Sequence, residues 1–363
     1  MAVVDSANRA ALGPVEVISY LDLIAGRCQP PPPGSLVRIE SPSECDATTR
    51  AILKAGAAPL IARGQVPLWP EAIDRLAIDR GEIVRPRQWF LGYQAILTQL
   101  EAAWAAANVR WMSRPGGIIS AFDKLDCLER WSHAGLPVPR RFSCGANYAE
   151  IRREIRERHA RVFVKLRHGY SAMGAVALEW RDSLVRAITP MDIVWSQGRS
   201  RLFVSKRPRV ITREHDIAWL IDLLAKEEIL VEQWLPKARW NGKPYDARVV
   251  VIAGKARHVV GRAHCSPFTN LNLDATRIPA DELQRRMGTA WTDFESIAEQ
   301  AASLIPGAGA LGLDILVRPC RRQFVLLEAN AFGDYLPGLM HREQSTYDAE
   351  WSEFSGALTG VAA

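Results

Sequence analysis

The sequence predicts a mixed α/β (α+β) protein. Three features carry that reading: apolar runs of strand length recurring between amphipathic stretches, the strand-turn-strand pattern ARVVVIAGKARHVVGRA, and a C-terminal segment, GLDILVRPCRRQFVLLEANAF, in which two apolar runs flank a polar turn. A length of 363 residues provides for two or three structural units.

Taken in order, residues 14–110 offer the strand-like runs VEVISYL and LVRIESPSE on either side of prolines 30–33, then AILKAGAAPLIA and an alanine-rich stretch through AWAAANVRW, the texture of a small α/β layer unit. A helix is expected from Asp123 to Leu136, because Leu125, Leu128, Trp131 and Leu136 share a face and GLPVP stops it. A second helix carries RREIRERHA into the strand RVFVKL. AVALEW reads as a strand, RLFVSKRPRVIT as a strand pair and Ile229–Leu235 as a further strand. In the strand-turn-strand run, Gly254-Lys255 is the turn signal. One long helix from Asp281 to Leu304 is expected to cover a sheet with Leu283, Met287, Phe294, Ile297, Ala301 and Leu304. The tail after Tyr347 is short and weakly informative, and no internal repeat is present.

Composition narrows the class. Hydrophobic content of 48% and charged content of 24% are those of a globular enzyme. No apolar stretch has membrane-spanning length, and MAVVDSANRA lacks a basic region followed by an apolar one, so a cytoplasmic protein without anchor or signal peptide is expected. Cysteines 28, 45, 127, 144, 265 and 320 are scattered without a CxxC pair, which suits reduced structural thiols. The formal charge of +6 comes from dispersed arginines, densest in RREIRERHAR and KRPRVITR, with no nucleic-acid motif. An anionic ligand could use part of that charge.

Several residue groups carry chemistry. The C-terminal segment reads as a hairpin that sets Asp314 beside the Glu328 strand, and strand alternation puts Glu328 and Asn330 on one side. Converging oxygens of this kind suit a hard divalent cation, while the alternative is a hairpin whose acids face water. Lys165 ends a strand ahead of RHGYSAMGA, whose Gly169, Ser171 and Gly174 let backbone amides approach phosphate oxygens; an ordinary hairpin tip is the alternative. Lys124 opens a helix behind Asp123, a candidate N-cap, and is otherwise a surface lysine. LVEQWLP offers Glu232, Gln233, Trp234 and Leu235 for an adenine edge, or is a plain strand end with a buried tryptophan. Asp246 and Arg248 lie two apart and share a face, so they can hold ribose hydroxyls and an anion, or pair with each other. Arg262 ends the next strand before HCSPFTNLN, whose Asn270 and Asn272 can reach a metal-bound phosphate or an acceptor.

The order DK before a helix, VFVK with a small-residue loop, VEQWLP, DARVVV, an arginine-ended strand, GLDIL and LLEAN resembles the ATP-grasp superfamily over about residues 111 to 340. SYLDLIAG, RIESPSE, WLPKARWNGKPYDARVVVIAG and SPFTNLNL look like a bacterial branch of it, with ribosomal-protein glutamate ligases and glutathione synthetases as more distant likenesses. The resemblance implies two α+β subdomains clasping ATP: a pre-ATP-grasp Rossmann-like domain at 1–110, short because VEVISY reads as its second strand, then subdomains at 111–225 and 226–345 and a tail at 346–363. It implies that Lys124, Lys165 and the loop from Gly169 to Gly174 contact phosphates, that Glu232 and the Leu235 backbone bind adenine with Gln233 and Trp234 beside them, and that Asp246 takes the ribose. Arg248, Arg262 and Asn270 would be catalytic, and Asp314, Glu328 and Asn330 would hold Mg²⁺, with Mn²⁺ as an alternative. Departures from the family pattern are Leu166 in place of a frequent proline, bulky Tyr170 and Met173 in the loop, and Asn272 where histidine is common.

The implied activity is ATP-dependent ligation of a carboxylate to an amine or other nucleophile, small molecule or peptide, through an acyl phosphate. The competing readings are an ATP-dependent phosphotransferase and a nucleotide-binding accessory protein without chemistry. No nucleic-acid or membrane partner is expected, and a homo-oligomer is compatible with the sequence.

Overall fold

The computed structural model describes residues 2–9, 13–42, 45–142, 147–157, 161–181, 184–196, 199–331, 336 and 338–359. Its architecture is α+β, with a short parallel strand pair near the N-terminus and two large antiparallel sheets. The pair joins β1 (Leu36–Val37) to β2 (Arg110–Trp111). The first large sheet contains β3 (Val162–Leu166), β4 (Val176–Arg181), β5 (Leu184–Ser196), β6 (Arg199–Ile211) and β7 (Ile229–Gln233) in the order β6-β5-β4-β3-β7. The second contains β9 (Lys243–Ile252), β10 (Lys255–Ala263), β11 (Thr276–Ile278), β12 (Ala310–Val317) and β13 (Phe324–Asn330) in the order β11-β10-β9-β12-β13, and the short β8 (Arg239–Trp240) pairs with β9.

Period-two burial explains why each sheet has an apolar back and a chemically different front. In β3, Val162, Val164 and Leu166 pack beneath Ile151, Ile155, Ile217, Leu220 and Leu224 of the Tyr148–Glu157 and Glu214–Ala225 helices. Phe163 and Lys165 therefore turn to the other face. In β9, Tyr245, Ala247, Val249 and Val251 join a core with Leu313 and Ile315 of β12, Trp131 of the Lys124–His133 helix and Phe294 of the Trp291–Ser303 helix. The opposite face of β9 is divided. Val250 and Ile252 lie under Ala349, Tyr347 and Phe354 of the C-terminal helix Thr346–Thr359, whereas Asp246 and Arg248 lie beyond its cover.

The structure differs from the sequence expectations at several elements. VEVISYL is not a strand: Val15 and Val17 are exposed, and Tyr20–Ile24 is a short helix capped by the Ser19 side chain. Among its described residues LVRIESPSE contributes only the two residues of β1, and Pro42 has no N–H to give a ladder. RLFVSKRPRVIT lies in one strand, β6, rather than a pair, and its partner β5 contains Pro190, where the register shifts. The expected long helix ends at Met287 and restarts at Trp291, because Gly288 adopts φ 58° and ψ −129°, a conformation open to glycine alone. The β9–β10 turn centres on Ala253 and Gly254, both at positive φ, one residue earlier than read. The tail, of which the sequence says little, is a helix over Thr346–Thr359. Cysteines 28, 45, 127, 265 and 320 form no disulfide, and Cys144 lies outside the described residues. Among the described residues no helix is long and apolar enough to cross a membrane.

In the N-terminal region the Asp46–Ala55 and Pro86–Ala103 helices approach backbone to backbone at Gly56 and Gly92. A Cβ on Gly92 would collide with the Ile52 carbonyl, and one on Gly56 with that of Gln88. Gly92→Ala should therefore cost about 1–3 kcal/mol in thermal unfolding. Gly116→Ala, whose nearest added contact is 3.8 Å from Glu101, should stay within about 0.5 kcal/mol of wild type in the same measurement.

Candidate active site

Between the two sheets runs a cleft lined by Lys124, Lys165, Gly169, Glu232, Gln233, Leu235, Asp246, Arg262, Asn270, Asp314 and Glu328. All eleven were singled out from the sequence. Gly174, Ser171, Trp234, Arg248 and Asn330 are not among the residues that line it. The cleft also takes in residues that the sequence reading missed, chiefly Lys237, Thr269, Phe163 and Leu316.

Strand register builds the charged wall. Arg262 of β10 lies opposite Asp246 of β9, and Asp314 of β12 lies opposite both Arg248 of β9 and Glu328 of β13. Asp246 and Arg248 do not pair with each other; each is satisfied across the sheet. Arg248 donates to both Asp314 oxygens at 2.7 and 3.0 Å, and Arg262 reaches Asp314 at 3.0 Å while its Nε donates to Asp246 at 2.9 Å. Lys237 closes the chain of contacts, donating to Asp246 at 2.9 Å, to the Thr269 hydroxyl at 2.8 Å and to the Pro267 carbonyl at 3.3 Å. The Thr269 hydroxyl donates to the same Asp246 oxygen. Asp246, Arg248, Arg262 and Asp314 are at most 6% exposed. Burial opposes the charge on Asp314 and Asp246, but the neighbouring cations outweigh it and hold both pKa values below the usual carboxylate range. Burial likewise works against Arg262, and its two carboxylates reverse the effect and raise its pKa. For Lys237 burial prevails over Asp246 and lowers the pKa.

This arrangement bears on two expected roles. Both oxygens of Asp246 are engaged, so it stands as the anchor of Arg262 and Lys237 rather than as a free acceptor for hydroxyls. Asp314 is likewise held by two guanidinium groups. Glu328 is more open, with its side chain 21% exposed and an oxygen 3.6 Å from Lys124 Nζ. Asn330 donates its amide to the Gly312 carbonyl at 3.1 Å, which fixes the rotamer and turns its own oxygen away from that bond.

On the facing sheet, Lys165 of β3 pairs with Glu232 of β7. Burial opposes the Lys165 charge, and Glu232 and Glu328 more than compensate, raising its pKa. Glu232 is only 2% exposed, and its second oxygen, Oε2, has no hydrogen-bond partner among the described residues. Such an orphaned acceptor is costly unless a ligand donates to it. Trp234 lies against Phe163 at 5.5 Å and beneath the Arg161 guanidinium at 4.9 Å, so it supports the cleft wall from behind.

The loop after Lys165 folds tightly. Ser171, Ala172 and Gly174 have positive φ, and a Cβ on Gly174 would collide with the Leu166 side chain. Lys124 Nζ donates to the Gly169 carbonyl. The segment between β10 and β11 crosses to meet this loop: Asn272 donates to the Ser171 carbonyl at 3.3 Å, and Phe268 and Leu273 pack with Ala175 and Ala177. Lys237 and Thr269 pin the near end of that segment to β9. Nothing in the run WLPKARW distinguishes Lys237 from a surface lysine, because its three partners lie 9, 30 and 32 residues away.

No family model matches the chain, and no curated protein matches it. Among solved structures it is similar to the ATP-grasp ligase PsnB complexed with minimal precursor, Mg and ADP, at 17% identity over 73% of this chain and 68% of that one, with a TM-score of 0.41. It is similar to D-cycloserine synthetase DcsG at 12% identity, 72% and 78% coverage and a TM-score of 0.46. It is also similar to the VanG D-Ala:D-Ser ligase from Enterococcus faecalis at 14% identity, 71% and 68% coverage and a TM-score of 0.46. In this chain two antiparallel sheets close on one cleft, with a small-residue loop on the first and an acid-bearing hairpin on the second, in the chain order described above.

Proposed function

We propose that the protein is an ATP- and Mg²⁺-dependent ligase that joins a carboxylate to an amine or another nucleophile. The observation that carries this reading is the convergence, in one cleft, of a buried acceptor without a donor (Glu232 Oε2), two lysines on facing elements and the accessible carboxylate of Glu328. An adenine amino group would supply the donor that Glu232 lacks, with the Leu235 backbone and Gln233 along the same edge and Phe163 and Leu316 against the ring faces. Lys124, Lys165 and the amides from Gly169 to Gly174 would hold the phosphates. Glu328 and the Asn330 oxygen would hold Mg²⁺, joined by Asp314 where the cation competes with its guanidinium partners; the hard oxygen set fits that ion. When bound, Mg²⁺ neutralises and orients phosphate oxygens.

In the reaction, an oxygen of the acid attacks the γ-phosphorus and ADP leaves with the electrons of the broken P–O bond. The amine then attacks the acyl carbon and inorganic phosphate departs. Side chains contribute position and charge rather than covalent chemistry. Arg262 would face the transferring group, with Arg248 holding Asp314 behind it. Asn270, beside the pinned Thr269, would face the acceptor. A nucleotide-binding protein without ligase chemistry is the second reading, favoured by the engagement of both Asp314 oxygens.

A mass-spectrometric screen of acids and amines with Mg-ATP separates the two: condensed product with stoichiometric ADP supports the ligase, and nucleotide binding without any ADP release in every mixture supports the second reading. Glu328→Gln should lower kcat by about 10²–10³-fold with an unchanged melting temperature. Asp314→Asn, in contrast, leaves two buried guanidinium groups short of a partner and should also cost about 3–5 kcal/mol of stability in denaturant unfolding. Lys165→Met should weaken nucleotide binding about tenfold or more, measured by calorimetric titration.

A further inference from the structure

The loop after Lys165 is fastened at its base by groups that no role above uses. Arg167 donates from Nε and a terminal nitrogen to the two oxygens of Asp123 at 2.8 and 2.6 Å. The same carboxylate accepts the backbone N–H groups of Leu125 at 3.0 Å and Asp126 at 3.3 Å, capping the helix that Lys124 opens. A single side chain thus fixes both the start of the loop and the start of the Lys124 helix. The two backbones are joined directly as well, since Lys124 N–H donates to the Arg167 carbonyl at 3.3 Å.

His168 adds a third tie. Its ring lies parallel to Phe90 of the Pro86–Ala103 helix, with centroids 3.8 Å apart and planes within 10°, and it is 5% exposed. Among the described residues neither ring nitrogen has a hydrogen-bond partner, and Nε2 stands 3.5 Å from an Asp123 oxygen. The N-terminal region, the Lys124 helix and the loop therefore meet at Asp123, Arg167 and His168. We infer that these three are positioning residues, a clasp that sets the closed loop and holds Lys124 where it reaches the Gly169 carbonyl. Its effect on nucleotide binding rests on the reading of the cleft given above; its effect on the loop does not.

The charged groups facing His168 are Asp123, Arg167 and Lys124, while the Pro86–Ala103 helix presents the Phe90 ring. Burial lowers the His168 pKa and outweighs the pull of Asp123, so the clasped imidazole is neutral. Release into solvent would return it to about 6.5. The closed loop therefore has its full stability above about pH 6.5 and loses it as the pH falls through the lower, clasped value.

Hydrogen exchange of the full, nucleotide-free chain tests the clasp, with rates corrected for intrinsic pH dependence at about pH 7.5 and about pH 5.5. Asp123→Asn keeps a good cap residue but weakens the Arg167 pairing; it and Arg167→Ala should each speed exchange across 168–175 by about tenfold, with Arg167→Lys recovering part of the loss and strand 243–252 unchanged. His168→Phe should keep the loop protected and remove the acid-induced loss that wild type shows. Titration with a fluorescent ADP analogue should then give weaker binding for Asp123→Asn and Arg167→Ala, again by about tenfold. Wild-type exchange in both of those variants, or an acid loss identical in wild type and His168→Phe, overturns the inference. If wild type binds no nucleotide, the functional reading falls while loop exchange still decides the clasp.

Discussion

The rest of the structure depends on the buried charge network across β9, β10 and β12. Three cations, Arg248, Arg262 and Lys237, share two carboxylates, Asp246 and Asp314, with side chains at most 8% exposed. Each charge is costly to bury alone and tolerable only with its neighbours in place, so strand register and side-chain identity are set together. A one-residue slip of β10 or β12 would send its charges into the apolar core on the other face. The same network ties the segment after β10 to the central strand through Lys237 and Thr269, and that segment in turn touches the loop on the opposite sheet.

Charge balance in the cleft follows from this network. The lining sets four basic side chains, Lys124, Lys165, Lys237 and Arg262, against four carboxylates, Glu232, Asp246, Asp314 and Glu328, and is formally balanced, with Arg248 outside it. A balanced lining does not neutralise a polyphosphate, which would have to enter with a cation of its own. Glu328 is the acid best placed to meet that cation, because it alone of the two hairpin carboxylates is not already held by arginine.

Local signals were legible in the sequence and long-range ones were not. The Asp314–Glu328 hairpin could be read because its turn and both apolar runs lie within one segment, and the Asp123 cap because its acceptors are two and three residues away. The strand-end position of Lys165 and the small-residue loop were legible for the same reason. Asp246 and Arg248 were misleading neighbours: their spacing invites pairing, yet each finds its partner on a different strand. Lys237 had no local signature at all. In the N-terminal region β-branched residues suggested strands, but Val15 and Val17 have no sheet to join, and proline removes the donors a ladder needs. Helical periodicity continued through residues 288–290 although Gly288 breaks the backbone, because the apolar spacing serves one core on both sides of the break.

The measurement that most directly tests the central claim, that the cleft between the sheets is a nucleotide site, is photolabelling with 8-azido-ATP in the presence of Mg²⁺, followed by peptide mapping. The structure predicts saturable labelling of the peptide containing Glu232 to Leu235 or of Leu316, which lines the same cleft, abolished by excess ATP. Labelling confined to residues outside the cleft, or labelling that ATP does not compete away, would contradict it.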